Sequence, residues 1–373
     1  LNTGIHFTAI GANAGHYATG SYNTFVGSSA GRGGTTSAPY SSGENNVALG
    51  YQALKVFTTG GYNTTIGVDV GYDLTTGNVN TAIGFRALYN ETGADQTTAI
   101  GSTAGYSQNI TSGITYNTMV GDAAGYYNVT GKFNTFVGSR AGNGASGQSN
   151  SYNTALGNDA LRVVSTGNRN VAIGYSAATA NTTGRDSVII GNEAGHDITS
   201  TVEVVLIGSY AGSKLNSTDA DGTVAIGMNA LSTATDAQRN VMIGYEAGVK
   251  LKTDDNVAIG FRAMRNIGDT AGSSHGENNI AIGTFALGGG DSSTYANNTG
   301  HKNIAIGHQA LGNGHSTAFT AYENVAIGHN VMNYGGNMVS SVAIGSNTGL
   351  YATGSYNTFV GAEAGKGGQT SAP

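Results

Sequence analysis

Apolar and polar positions alternate in short bursts that recur along the whole chain. Each burst ends on a glycine: Gly11, Gly27, Gly50, Gly67, Gly84, Gly101, Gly121, Gly138, Gly157, Gly174, Gly191, Gly208, Gly227, Gly244, Gly260, Gly283, Gly307, Gly328, Gly345 and Gly361. The residue before the glycine is Ile, Val or Leu, as at Ile10, Val26, Leu49, Ile66 and Ile83. Two places further back stands Thr, Val or Ile. These two positions share one face of an extended strand, and the residue between them takes the other. That middle residue is mostly Ala (Ala48, Ala82, Ala99), with bulky exceptions at Phe25, Met119, Phe136 and Leu206. Both faces are therefore apolar, one large and one mostly small. Three residues after the glycine Ala recurs (Ala14, Ala30, Ala53, Ala87), which predicts a second short strand or a turn edge. A polar T-T-G or T-x-G stretch follows as a turn. A cluster of this length between glycines leaves no room for several turns of helical periodicity.

The commonest step between glycines is that from Gly67 to Gly84 to Gly101. A fixed short period without a second sequence type predicts a solenoid in which each coil stacks on the next. One coil cannot bury enough apolar surface to fold alone, so stability must come from stacking. The expected class is all-β, a parallel β-roll or β-helix of about twenty coils. At ~4.8 Å per coil it would form an elongated rod of roughly 95 Å. The array occupies 1–373 as a single domain without a linker.

Stacking turns equivalent residues into files. Asn stands four before the glycine in most copies, among them Asn63, Asn80, Asn117, Asn134, Asn153 and Asn170. These amides are expected to hydrogen-bond up and down a structural ladder. Tyr72, Tyr89, Tyr106 and Tyr126 stand five after the glycine in four consecutive copies. They should stack as an aromatic ladder that either closes a corner or offers ring faces to sugars. The file three before the glycine reads Thr64, Thr81, Thr98, Thr118, Thr135, Thr154 and then Val171, Val188, Val205. A flat Thr array is a feature of ice-binding surfaces. No strand carries a T-x-T pair, and Val takes over, so Thr is read as a substitute for Val inside the coil.

Composition narrows the class further. Gly is 61 of 373 residues, yet lacks the strict triplet spacing of collagen. Pro occurs only at Pro39 and Pro373, which suits unbroken ladders. Charged residues are 10% and the net charge is −6, dispersed along the chain, which gives no footprint for nucleic acid or an anionic membrane. Cys is absent, so disulfide and thiolate chemistry are excluded. No apolar run is long enough to span a bilayer as a helix. The segment 17–39 recurs almost unchanged at 351–373, a second, longer period that leads us to expect a fibre continuing beyond this segment.

No catalytic constellation is visible, and neither an enzyme activity nor a cofactor is expected. Carboxylates are scattered one or two per coil; adjacent coils could place pairs such as Asp159 with Asp186 or Glu193 with Glu203 at glycosidase range, but no such pair is expected to act. The stretch 218–222 (TDADG) resembles part of a calcium loop without its distal Glu, and reads as a turn. His308 and His329 directly follow their glycines in neighbouring coils, with His275, His301 and His315 in loops nearby, but no H-x-H ligand spacing exists. Insertions enter after the second apolar position and before the next Asn, at 32–44, 265–277, 288–302 and 312–323. Their clustering marks 265–323 as a loop-rich subregion, where one face is expected to bulge.

The segments SYNTFVGSSAG (21–31), NTAIGFRALYNETG (80–93), NVAIGYSAATANTTG (170–184) and NVAIGFRAM (256–264) resemble the head repeats of trimeric autotransporter adhesins. More closely still, they resemble the NTAIG-type repeats of bacteriophage tail fibre shafts. The resemblance covers essentially the whole chain. It implies a left-handed parallel β-roll, three chains side by side, and an extracellular structural role in attachment to a glycan or protein receptor on a cell surface. The coils here are longer than those of adhesin heads, and some carry loops. The resemblance makes a tail fibre segment the first expectation and a bacterial surface adhesin binding host matrix or cells the second. A glycan-degrading tailspike comes last.

Overall fold

Three residues per repeat form strand, and they are the three before the repeat glycine. In a computed structural model that describes residues 4–34, 40–216, 220–267, 276–288, 300–312, 321–334 and 338–367, the chain groups into two units, Leu1–Arg185 and Asp186–Pro373. Among the described residues the first unit carries strands from Thr8–Ile10 to Val171–Ile173, and the second from Val188–Ile190 to Thr358–Val360. Within each unit every three-residue strand pairs in parallel with the next three-residue strand, and residue matches residue. Thr64, Thr65 and Ile66 lie against Thr81, Ala82 and Ile83 in the first unit, and Val205, Leu206 and Ile207 against Val224, Ala225 and Ile226 in the second. Each unit is a parallel β-solenoid. β-Branched residues on either side of the middle position suit the extended backbone, and the glycine ends it.

Why glycine is required follows from two independent facts. At Gly208 φ is +132°, a region closed to side chains, and a Cβ there would stand 2.6 Å from the carbonyl carbon of Gly227 on the next rung. The same contact recurs from rung to rung because the glycine nitrogen donates to the carbonyl before the previous glycine, as Gly27 does to Ile10 (2.8 Å).

The stretch after the glycine is a chain of turns, which selects the turn edge over the second short strand of the two readings the recurrent Ala left open. Two further two-residue strands, Ala94–Asp95 and Gly113–Ile114, pair in parallel in the first unit. Non-glycine residues take positive φ at fixed places: five before the glycine (Tyr62, +61°), two after (Asp69, +54°) and four after where no glycine stands (Leu88, +50°).

The core lies inside each coil. The middle strand residue points into it: Phe25, Ala48, Ala82, Met119, Phe136 and Leu206 are fully buried. Away from the end rungs, the Ala three after the glycine and the residue four after it are buried as well. The flanking Thr, Val and Ile positions are only half-buried, which reverses the expectation that Thr replaces Val inside the coil. Both files face outward. Both parities of the strand are apolar, so alternation alone left the direction open.

Inserted loops leave the rungs undisturbed. The middles of 32–44, 265–277, 288–302 and 312–323 lie outside the described residues, but Val257 still opposes Ile280, Ile280 opposes Ile304, and Ile304 opposes Val325.

Candidate functional site

The Asn file is a closed internal ladder. Asn63, 1% exposed, donates from its backbone nitrogen (3.0 Å) and Nδ2 (3.1 Å) to Oδ1 of Asn46. Its Nδ2 also donates to the carbonyl of Gly77 (2.8 Å), and its own Oδ1 accepts from Asn80. Asn134, Asn153 and Asn170 continue the same pattern, with Asn117 Oδ1 accepting from Asn134 nitrogen at 2.9 Å. Each side chain thus stitches three segments together and retains nothing for a ligand. Buried amides with satisfied donors and acceptors act as structural pins.

Where Asn is missing, a different polar cluster fills the interior. Seven residues after the glycine, the core holds Phe57 and Leu74, then Glu91, Gln108 and Asn128 in succession, then Val164. Glu91 is fully buried. Its Oε1 accepts from the backbone nitrogens of Gly93 (2.9 Å), Ala94 (2.8 Å) and Ile110 (3.2 Å). Gln108 donates to Thr97 Oγ1 (3.1 Å) and accepts from Asn117 Nδ2 (3.0 Å). Burial raises the Glu91 pKa, opposed by these backbone donors and by Gln108. The sequence offered one signal for this cluster: a run of three polar residues in a file that is mostly apolar, with Asn181 as a further polar member.

Tyr72, Tyr89, Tyr106 and Tyr126 do stack, with ring centroids 5.0, 5.4 and 4.9 Å apart. Their faces are consequently turned to one another. The outer face of Tyr72 is covered by the Lys55 ammonium, 4.6 Å from the ring centre, which also donates to the Tyr72 hydroxyl (2.7 Å). Tyr127 meets Tyr126 edge-on. Sugar stacking on the ring faces, one of the two roles the sequence left open, has no room between the stacked rings. The ladder instead turns partly exposed ring edges and hydroxyls outward.

The largest collected feature is apolar. Among the described residues, the most exposed large apolar side chains are not scattered. All but Ile5, Ile114 and Tyr210 stand five, three or one before a repeat glycine, or one after it. In the first unit, Tyr62 (64% exposed) and Tyr152 (57%) rim one side of the sheet, Phe85 (46%) rims the other, and Leu156 (46%) lies between. Exposed apolar side chains gathered in files in this way differ from the singly scattered ones usual on a solvated surface. On the first side Phe133 stacks on Tyr152 at 4.9 Å.

The remaining candidates separate. His308 and His329 stack at 5.2 Å, and His301 stacks on Tyr322, while His275 and His315 lie outside the described residues. Among the described residues no group of three or more metal-binding side chains converges. Asp159 pairs with Arg140 at 2.7 Å. Glu193 and Glu203 sit on different corners, two after and five before their glycines. Of 218–222, Asp221 is a turn residue whose Oδ1 accepts from Val202 nitrogen (2.7 Å). No described helix is long and apolar enough to cross a membrane. Comparison with protein-family models, with curated proteins and with solved structures finds no match to this chain.

Proposed function

We propose that this chain is a structural segment of a homotrimeric extracellular fibre, of the bacteriophage tail fibre kind, that carries attachment to a cell surface. Each chain is a left-handed roll, and the outward Thr/Val and Ile files meet their counterparts on two further copies. One observation carries the reading: the exposed apolar side chains gather on the strand side of the coil, while the core is already filled from within. A sheet face of half-buried Val and Ile, rimmed by Tyr and Phe, is costly to leave in water over so many rungs. Covering it with identical faces solves this by symmetry, since a file of repeating residues is complementary to its own copies.

The work is mechanical. Three copies and many rungs give multivalent contact, so weak individual sites sum to firm attachment. Ion pairs along the surface, such as Arg239 with Asp255 (2.7 Å), hold neighbouring rungs without a converging catalytic pair.

The test is the mass of the purified chain in solution by light scattering and native mass spectrometry. Three chains per particle support the reading. A stable monomer, or a dimer, overturns it and leaves the solenoid intact.

A further inference from the structure

The tyrosine ladder lies on the other side of the coil from the apolar sheet. The residue four after the glycine packs across the core against the middle strand residue, as Gly105 does near Met119 and Gly212 near Leu206. The next residue, which carries the tyrosines, points outward beyond it. A fibre assembled through its sheet faces therefore leaves this file in solvent.

Among the described residues, nothing hydrogen-bonds to the hydroxyls of Tyr89, Tyr106 and Tyr126. Stacking fixes the rings at 5.4 and 4.9 Å, so the three hydroxyls form a rigid row with one group per rung. Burial and the neighbouring Tyr72, Asp69 and Asp73 raise the pKa of Tyr89, and burial does the same at Tyr126, which keeps both as donors. The flanking charges are balanced: Lys55 caps Tyr72, and Arg86 pairs with Asp69 (3.4 Å) and lies over the Tyr89 ring. A balanced surround favours a neutral ligand over a charged one.

We propose that the row from Tyr72 to Tyr126 is a linear track for a neutral, extended β-1,4-linked polysaccharide lying parallel to the stack. Each sugar in such a chain advances it by close to one rung, so every ring meets one hydroxyl in the same relation. A phenol both donates and accepts, which suits the alternating orientation of successive sugars. Preorganisation by stacking removes the ordering cost that separate, mobile tyrosines would carry. This deepens the attachment reading by naming the ligand class and its place.

The test uses the full chain with cellohexaose as probe and maltohexaose, whose α-linkage coils the chain, as comparison. Saturation-transfer NMR from the tyrosine rings and titration calorimetry read the binding. Cellohexaose is expected to bind, maltohexaose to bind much more weakly, and affinity to rise with oligomer length until the ladder is filled. Tyr89→Phe/Tyr106→Phe keeps the ring stack and removes two hydroxyls. It should keep its melting temperature and mass while binding falls about tenfold. Absent binding of cellohexaose, equal binding of maltohexaose, or undiminished binding by the double Phe variant overturns the track. A trimer that does not bind rejects the track and retains the fibre; a monomer that binds does the reverse.

Discussion

The ring of Phe136 occupies the space that a side chain on Gly142 would need: a Cβ there would collide with the ring atoms Cδ1, Cε1 and Cζ. The relation is general. Gly31 faces Phe25, Gly125 faces Met119, Gly248 faces Met242, and Gly365 faces Phe359. In most rungs whose middle strand residue is Ala, the opposing place holds a large side chain, as in Ala48 with Leu54, Ala82 with Leu88 and Ala225 with Leu231, all fully buried. Large opposes small across most coils, in either order, while a few rungs, such as Ala172 with Ala178, are small on both sides.

Exchange across the core is therefore expected to be tolerated where single changes are not. Phe136→Ala should cost about 3 kcal/mol or more by leaving a cavity, and Gly142→Leu a comparable amount by overpacking. The double variant should recover most of the loss, because Leu already takes φ near +50° at this place in other rungs. Chemical denaturation of the three variants measures the coupling. Additive losses would refute the paired-volume account.

The Asn ladder makes a sharper demand. Asn153→Ala leaves the Gly167 carbonyl and the Asn170 nitrogen without their side-chain partners. A loss of about 2–3 kcal/mol is expected. Asn153→Ser should recover part of it, since Ser341 takes the corresponding place in the second unit, where its nitrogen donates to Asn324 Oδ1 (3.0 Å) and its Oγ accepts from the Asn357 nitrogen (3.1 Å). Thermal unfolding of the two variants distinguishes a hydrogen-bonding role from mere volume.

Glu91 predicts an unusual pH response. Its pKa is raised by burial above that of the unfolded chain, so the folded state holds the proton more tightly. The associated stability is full below the unfolded pKa and is lost as pH rises through the folded value. The groups facing Glu91 are Gln108 and the backbone nitrogens of Gly93, Ala94 and Ile110. Glu91→Gln should flatten stability against pH across the acid range upward. An unchanged pH profile would show that the carboxyl is not the group responsible.

Placing a charge on the outward sheet tests assembly separately from folding. Ile83→Lys with Ile100→Lys puts two ammonium groups on a face that is half-buried in one chain and wholly buried in the proposed trimer. The variant should remain folded by circular dichroism and sediment as a single chain. Retention of three chains would place the contact elsewhere.

Much of this was legible from periodicity. The strands fall on the three residues before each glycine, the Asn file forms its ladder, and the four tyrosines stack. Direction was not legible in the same way. Thr64 and Ala82 sit on opposite faces, but both faces are apolar enough to be a core, and only the pairing of Phe136 with Gly142 or Ala82 with Leu88 reveals which is enclosed. That signal spans six residues around a corner and appears only when files are compared. The corners themselves were hidden as well, because Tyr62, Val79 and Phe133 adopt positive φ without the Gly, Asn or Asp that usually announces it. Glu91 and Gln108 stood in a stretch read as a polar turn, whereas that stretch turns one side chain per rung inward.

The glycine contact has a consequence for how such a chain changes length. Because the joint between Gly67 and Gly84 uses the same bonds as that between Gly84 and Gly101, excising the residues from one glycine to the next should bring equivalent ends together and leave the seam unmarked. Unequal recombination within the gene would then lengthen or shorten the product by whole modules, with no new surface to invent, so that size becomes a matter of bookkeeping in copies.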